Sequence, residues 1–525
     1  MKKQSFFTST IILTASGIIC KIMGAIYKIP LTHILGSLGT GIYYLVFPIY
    51  AFLLTFVSHP YMVALSRLVS VHSAKGEYYL AKRTLFATLV LLIIQSVILA
   101  IILCVFSRFI ARLQGLESAY LCYLALSPSI IAVAVSSSFK GFFQGLQNMT
   151  PSATSQVLEQ IVKLSFGFML ANIFIGHGAV SGTLGALIGI SISEIVSALF
   201  FAIYYVIFNL KNKQIFAKNE QNIPFVKLLA NVFKSALPFI LTSLILPLSM
   251  VVDSFLIINI LKSSGFDKYF STSLLGLNSG VVNTLVSLPS TLSSALCMTI
   301  VPYISYSLSK GNIKEVEDKA SLANKLTLII ALPCVFVFAL FSKQIILLLY
   351  NMDSVYQLNL TSTLLMISSV NVLYLALLQI STSILQAINK PYVPVISLSI
   401  ALAFKVICEV FLISNPYINI SGAVIATSVC YMLSSGINLV CIRKYFTQLL
   451  SLYRQIISPL LCCLIMSSCV YLTYYFLLGV SSPTISILFS FFSGFIVYIV
   501  CIFLFRTFTE KERETMFRFR VKRQS

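Results

Sequence analysis

The stretch TLFATLVLLIIQSVILAIILCVF, residues 84–106, contains no charged side chain and decides the class of fold. A helix needs about 20 apolar residues to cross the hydrocarbon core of a bilayer, and this stretch is long enough. The rest of the chain has the same character, since 58% of its 525 residues are hydrophobic and 10% are charged. Soluble domains carry about 25% charged residues. Lipid is therefore the expected solvent for most of the surface.

Comparable apolar stretches follow one another along the chain. We predict an all-α polytopic membrane protein with about 14 transmembrane helices. The predicted spans are 7–27, 41–65, 84–106, 119–139, 154–175, 181–209, 235–260, 273–305, 322–341, 357–386, 393–414, 419–441, 455–478 and 484–506. The first span follows two lysines, as in a signal peptide, but we expect it to be retained because it begins an internal repeat.

Lys and Arg are distributed unequally between the predicted loops. With the N-terminus inside, six of the 36 Lys and Arg fall in external loops, namely Lys28, Arg108, Arg112, Lys262, Lys268 and Lys343. Because cytoplasmic loops are enriched in Lys and Arg, the pattern predicts a multi-pass protein of the bacterial inner (cytoplasmic) membrane with both termini cytoplasmic. The net charge of +21 then indicates contact with anionic membrane lipids and not with nucleic acid.

Short motifs recur in the same order in the two halves of the chain. FQGLQN at 143–148 resembles LQAINK at 385–390, and SAKG at 73–76 resembles LSKG at 308–311. Six spans separate the copies, so the two halves form a parallel repeat about an axis along the membrane normal. The predicted divisions are an N-terminal lobe (1–210), a cytoplasmic linker (211–234), a C-terminal lobe (235–445), two extra spans (446–506) and a basic cytoplasmic tail (507–525).

Lysines inside the predicted spans are the first candidates for a binding site. Lys21 and Lys28 are seven residues apart and therefore share one helix face. An ionised side chain at the bilayer centre costs about 2.5–3.5 kcal/mol on insertion scales, so we expect Lys21 to face a cavity that accepts an anion such as a diphosphate. Lys28 lies nearer the outer mouth, where it either lines the same cavity or extends to the lipid headgroups.

Two further lysines occupy equivalent positions in the two halves. Lys163 and Lys405 are 242 residues apart, the same offset as the FQGLQN and LQAINK motifs. Glu159 precedes Lys163 by four residues, and Glu409 follows Lys405 by four. Each pair therefore either neutralises itself along its helix or releases its lysine to an anionic substrate.

Glu194 and Asp253 have no opposite charge nearby in sequence. An intramembrane carboxylate is a candidate site for a coupling ion, sodium or proton, and Asp253 alternatively pairs with Lys21. We predict no cofactor, with transport driven by sodium, protons or the membrane potential. No phosphate-binding loop, nucleophile motif or His and Cys cluster suggests an enzyme or a metal site.

The chain resembles the multidrug/oligosaccharidyl-lipid/polysaccharide exporter superfamily, and within it the branch of stage V sporulation protein B and MurJ-type lipid II flippases. The likeness rests on KIMG at 21–24 followed by Lys28 and HILG at 33–36, on VALSRLV at 63–69, and on FQG at 143–145. His33 stands where the family often has Arg, which makes the charge there dependent on pH.

The resemblance implies a V-shaped pair of six-helix lobes around a cavity, and lipid-linked peptidoglycan or other glycan precursors as substrates. It also suggests that spans 13 and 14 form a groove for a polyprenyl tail, and that cell-wall synthesis enzymes are partners. Two alternatives remain open. A cation-coupled multidrug exporter would favour acidic groups in its cavity, whereas a membrane scaffold would gain nothing from deeply placed charges.

Overall fold

A computed structural model of the chain describes residues 6–212, 223–309, 311–350, 352, 354–445, 456–479, 482–505 and 507–508. These residues form seventeen α-helices, with a short 3₁₀ turn at Glu117–Ala119 and a π-helical segment at Gly276–Val282. The α-helices are α1 (Phe6–Thr55), α2 (His59–Ala74), α3 (Tyr78–Leu113), α4 (Tyr120–Gly145), α5 (Thr150–Ile175), α6 (Ala179–Lys211), α7 (Phe225–Ser243), α8 (Ile245–Ser263), α9 (Lys268–Leu275), α10 (Asn283–Ser309), α11 (Ile313–Leu340), α12 (Ser342–Leu349), α13 (Val355–Ala387), α14 (Tyr392–Ile413), α15 (Ser421–Arg443), α16 (Ser458–Leu478) and α17 (Pro483–Leu504).

Twelve segments of the described residues are long and apolar enough to cross a membrane. One of them, Ala15–Ala74, contains the second predicted span, 41–65, and residues 15–27 of the first. The predicted span 273–305 is not among the twelve, although the chain is helical through it in α9, the π-helical segment and α10. The chain is an all-α multi-pass membrane protein, which confirms the predicted class of fold.

Helix α1 bends sharply at Gly36, where the sequence predicted a loop. Straight, its 50 residues would extend about 75 Å, more than twice the thickness of the hydrocarbon core. Gly36 has φ 64° and ψ −176°, a combination that is essentially restricted to glycine. The helix therefore continues on both sides of Gly36 but changes direction there.

The internal repeat is visible in the way matching helices end. Gln147, after α4, and Asn389, after α13, both have left-handed φ angles, of 61° and 60°. The last two residues of each motif donate the same pair of backbone hydrogen bonds. In the first copy, Gln147 N donates to Gln144 O and Asn148 N donates to Phe143 O. The second copy repeats them from Asn389 N and Lys390 N. The two motifs thus form the same helix cap.

The chain divides into two compact units. The first contains residues up to Val281 together with Glu409–Ile420, and the second contains Val282–Cys408 and the residues from Ser421 onward. The predicted linker 211–234 lies within the first unit; its residues 213–222 fall outside the described part of the chain, as does the predicted tail beyond residue 508. The predicted division at 211–234 stays a prediction.

In the first unit, α1 packs against α5, α6, α8 and α9, and α5 packs closely against α6. The fully buried Gln114 joins four helices, since its amide nitrogen donates to Leu45 O and Ser254 Oγ, both at 3.0 Å, and its oxygen accepts from Tyr123. In a lipid environment such polar contacts link helices that the hydrophobic effect alone does not hold together. These hydrogen bonds tie the end of α3 to α1, α4 and α8.

In the second unit, α13 is central and packs against α10, α11 and α15. Helices α16 and α17, the predicted spans 13 and 14, pack against each other, and α16 contacts α11. Tyr498 of α17 donates to Ile329 O of α11 at 2.8 Å. Both helices expose large apolar side chains such as Phe476 and Phe492, as lipid-facing helices do.

Candidate functional site

Charged side chains of α1, α4, α5 and α6 converge in the first unit. Lys28 is half-buried on α1, and its ammonium lies 5.9 Å from the centre of the Tyr44 ring. Sixteen residues along a straight helix span about 24 Å, so this contact exists only because α1 bends at Gly36. The tyrosine ring is attractive to a cation and holds Lys28 against the unit.

Lys163 has a similar aromatic contact. Its ammonium lies 5.8 Å from the centre of the Tyr27 ring, and that ring is 2% exposed. Two glycines fix the position of Tyr27, because a Cβ on Gly167 would lie 2.7 Å from its hydroxyl and a Cβ on Gly189 would lie 2.5 Å from Gly167 Cα. Small residues of this kind let membrane helices approach closely, and here they place Lys163 of α5 beside α1.

Glu159 is paired across two helices. Its carboxylate lies 3.6 Å from the ammonium of Lys140 on α4, and both side chains are mostly buried. Sequence reasoning placed Lys140 in a cytoplasmic loop, whereas α4 continues through it to Gly145. In the structure α4 ends within the FQG motif at 143–145. Taking this motif as the helix end in the sequence would have placed Lys140 on the helix.

Glu194 completes the cluster from α6. It is half-buried and interacts electrostatically with Glu159, Lys140 and Lys163. Lys163 in turn interacts with Glu159, Glu194 and Lys28. Electrostatic interactions thus link three ammonium groups and two carboxylates on four helices. We call these five residues, Lys28, Lys140, Glu159, Lys163 and Glu194, the charged cluster.

The formal charge of the charged cluster is +1 when every group is ionised, because three lysines outnumber two glutamates. Lys140 is engaged with Glu159 at 3.6 Å, while Lys28 and Lys163 each lie over a tyrosine. An aromatic ring compensates a buried charge less completely than a carboxylate does. Lys28 and Lys163 are therefore the groups of the cluster best suited to meet an anion.

Four other predicted site residues are not part of the charged cluster. Lys405 and Glu409 are almost fully buried on α14, and Asp253 is half-buried on α8. His33 is exposed on α1. Lys21 belongs to α1, but its side chain lies outside the described part of the structure, so the face that it shares with Lys28 stays a prediction.

The described residues contain no group of three or more His, Cys, Asp or Glu side chains that could hold a metal ion. The charged cluster consists of ammonium and carboxylate groups. It can bind an anion through its lysines, or a proton or small cation through Glu194.

Known proteins share this architecture. The chain is 26% identical over 457 residues to the lipid II flippase MurJ of Bacillus subtilis (strain 168), covering 83% of this chain and 82% of that protein. It is 28% identical over 344 residues to the stage V sporulation protein B of the same organism, covering 65% of this chain and 66% of that protein.

Solved structures show the same fold at lower identity. A lipid II flippase MurJ in an inward closed conformation matches with a TM-score of 0.71 and 18% identity, covering 94% of this chain and 99% of that one. An inward-facing multidrug resistance MATE family transporter of the MOP superfamily matches with a TM-score of 0.65 and 17% identity, covering 86% and 96%.

Two protein families match the sequence directly. The MatE family matches residues 269–411. The polysaccharide biosynthesis protein family matches residues 6–308, which is more than half of the chain. The chain therefore belongs to the polysaccharide biosynthesis protein family, and it shares its fold with transporters of the MOP superfamily.

Proposed function

We propose that this protein moves a polyprenyl-diphosphate-linked glycan or peptidoglycan precursor from the inner to the outer leaflet by alternating access. The observation that carries the proposal is the pair Lys28 and Lys163, two ammonium groups held over tyrosine rings within electrostatic reach of each other. A diphosphate offers several acceptor oxygens to two such groups. The relationship to MurJ and to stage V sporulation protein B supports the same substrate class.

The cost of the lysines supports a functional role. Placing a Lys at the bilayer centre costs about 2.5–3.5 kcal/mol on insertion scales. Packing alone would be served equally well by apolar residues, which avoid that cost. The ammonium groups of Lys28 and Lys163 are only partly compensated in the absence of substrate, so they can pair transiently with an anionic substrate.

Glu194 is the coupling group of this proposal. It is half-buried among Lys140, Glu159 and Lys163, so binding of a proton or sodium ion there would change the charge that the lysines experience. The membrane potential supplies about 2.3 kcal/mol per charge per 100 mV. Inward movement of one cation can thus drive outward movement of the headgroup without a bound cofactor.

A cation-coupled multidrug exporter is the second candidate. The MatE match at 269–411 and the likeness to MATE transporters favour it. Cationic drugs would bind carboxylates, but in the charged cluster Glu159 is already paired with Lys140 at 3.6 Å. Purified protein should therefore bind a polyprenyl-diphosphate glycan more tightly than cationic dyes, and the opposite preference would support the exporter.

Flipping in proteoliposomes tests the proposal. A fluorescent polyprenyl-diphosphate sugar is protected from an external reductant until it reaches the outer leaflet. Lys163→Gln should slow flipping about tenfold or more, because a hydrogen bond to a charged group contributes about 1.5–3 kcal/mol. Lys163→Arg should retain most activity, and Lys227→Gln, at an exposed position of α7, should retain all of it. Full activity of Lys163→Gln would contradict the proposal.

A further inference from the structure

A pocket of about 510 Å³ lies between α2 and α7 in the first unit. Its walls come from matching positions of the two helices: Arg67, Leu68, Val71 and His72 of α2, and Lys234, Ser235, Pro238 and Phe239 of α7. Each set covers one helix face, since its members are spaced by one, four and five residues. The volume falls within the range of small-molecule sites, about 300–1,000 Å³.

The pocket combines positive charge with apolar walls. Of the eight described residues that line it, Arg67, His72 and Lys234 are basic and none is acidic. Arg67 and Lys234 are exposed, whereas His72 is paired with Glu77 at 3.0 Å. Two cations beside apolar walls suit a molecule with a phosphate at one end and a hydrocarbon chain at the other.

The position of the pocket on α7 indicates a lipid. Helix α7 exposes large apolar side chains, among them Val226 (74%) and Leu241 (57%), so it borders the hydrocarbon region. Its first turns pack against the beginning of α3, where Leu228 contacts Leu80. The end of α2 and the beginning of α7 therefore lie on the same side of the unit.

Basic side chains surround this end of the helices. Lys75, Lys82, Arg83 and Lys227 all belong to it, and the positive-inside pattern places it in the cytoplasm. Basic pockets between membrane helices on that side bind anionic lipid headgroups.

We propose that the α2–α7 pocket binds an anionic phospholipid of the cytoplasmic leaflet, with the headgroup phosphate between Arg67 and Lys234 and the acyl chain along Pro238 and Phe239. This lipid is not the transported substrate. The site is made by other helices than the charged cluster and stands independently of which glycan is carried.

The absence of Trp from the sequence makes a direct test possible. Phe239→Trp places a single fluorophore in the pocket, and lipids with brominated acyl chains quench it on contact. Brominated phosphatidylglycerol should quench Phe239→Trp more strongly than brominated phosphatidylcholine at equal mole fraction, with a preference of about fivefold for each basic residue. Adding Arg67→Gln and Lys234→Gln should remove that preference.

Phe233→Trp is the matched control. Phe233 is exposed on α7 but does not line the pocket, so both brominated lipids should quench it equally. Equal quenching of Phe239→Trp by the two lipids, or a preference that survives the double Gln variant, would overturn the proposal. Relief of quenching by inorganic phosphate would assign the pocket to a free anion, and relief by polyprenyl diphosphate would assign it to the transported substrate; either result also overturns it.

Discussion

The ammonium of Lys140 lies 3.6 Å from the carboxylate of Glu159, which joins α4 to α5 inside the first unit. This contact changes the role expected of Lys163. Four residues from Glu159 on the same helix, Lys163 would be its partner in an isolated helix. With Lys140 also present, Lys163 lies over Tyr27 and its charge is only partly compensated.

Removing one member of this pair should destabilise the protein. Lys140→Gln removes the ammonium paired with the mostly buried Glu159 and leaves it only the weaker interaction with Lys163. We expect a loss of about 2–4 kcal/mol in the free energy of unfolding, somewhat below the value for a fully broken buried pair. Thermal unfolding in detergent can be followed with a thiol-reactive dye, because Cys122, Cys462 and Cys463 are fully buried in the folded protein.

The double variant separates a pairing effect from a packing effect. Lys140→Met with Glu159→Met removes both charges, and we expect it to recover most of the lost stability. The exposed pair Arg112 and Glu117 is the control, since Arg112→Gln should change the unfolding temperature little. If the double variant instead loses as much stability as the two single substitutions together, the two side chains are not coupled.

Gly36→Ala should disrupt the bend in α1. At φ 64° and ψ −176° a residue with a Cβ is strained by about 1–3 kcal/mol, so the variant should unfold at lower temperature and transport less. Gly17→Ala, in the same helix and with nothing within 4 Å of the added Cβ, should be neutral or slightly stabilising. Wild-type stability of Gly36→Ala would show that α1 reverses without this backbone conformation.

The sequence predicts the helical class and most of the spans, because a bilayer imposes length and apolarity on each segment separately. The motifs at 143–148 and 385–390 also indicate a repeat, and the structure gives both the same helix cap. These features are local, so they can be read from short stretches of chain.

Features that depend on contacts between distant segments are not visible in the sequence. Nothing near Lys140 in the sequence identifies Glu159 as its partner, because the contact depends on how α4 packs against α5. Lys325, three residues into the predicted span 322–341, is 1% exposed, and its ammonium lies 5.4 Å from the centre of the Phe508 ring, which is distant in sequence. The segment around Gly36 was predicted as a loop. Glycine and proline occur both in loops and at bends within helices, so the sequence alone does not distinguish the two.

Lys21→Ala should abolish transport while leaving the amount of protein in the membrane unchanged. The reason is that Lys21 lies seven residues before Lys28 on α1 and is expected to extend the row of cations toward the substrate phosphates. Flipping in proteoliposomes and immunoblotting of membranes measure the two quantities. Lys21→Arg should keep the charge and much of the activity, and full complementation by Lys21→Ala would refute its assignment to the cavity.

Both termini should lie in the cytoplasm, because only six of the 36 Lys and Arg fall in external loops in that orientation. Green fluorescent protein fused after Ser525 should be fluorescent and alkaline phosphatase at the same position inactive, since the first folds inside the cell and the second requires an oxidising exterior. A phosphatase fusion within the loop around Gly265, which lies between α8 and α9, should be active. The reverse result at both positions would invert the topology and, with it, the expected direction of transport.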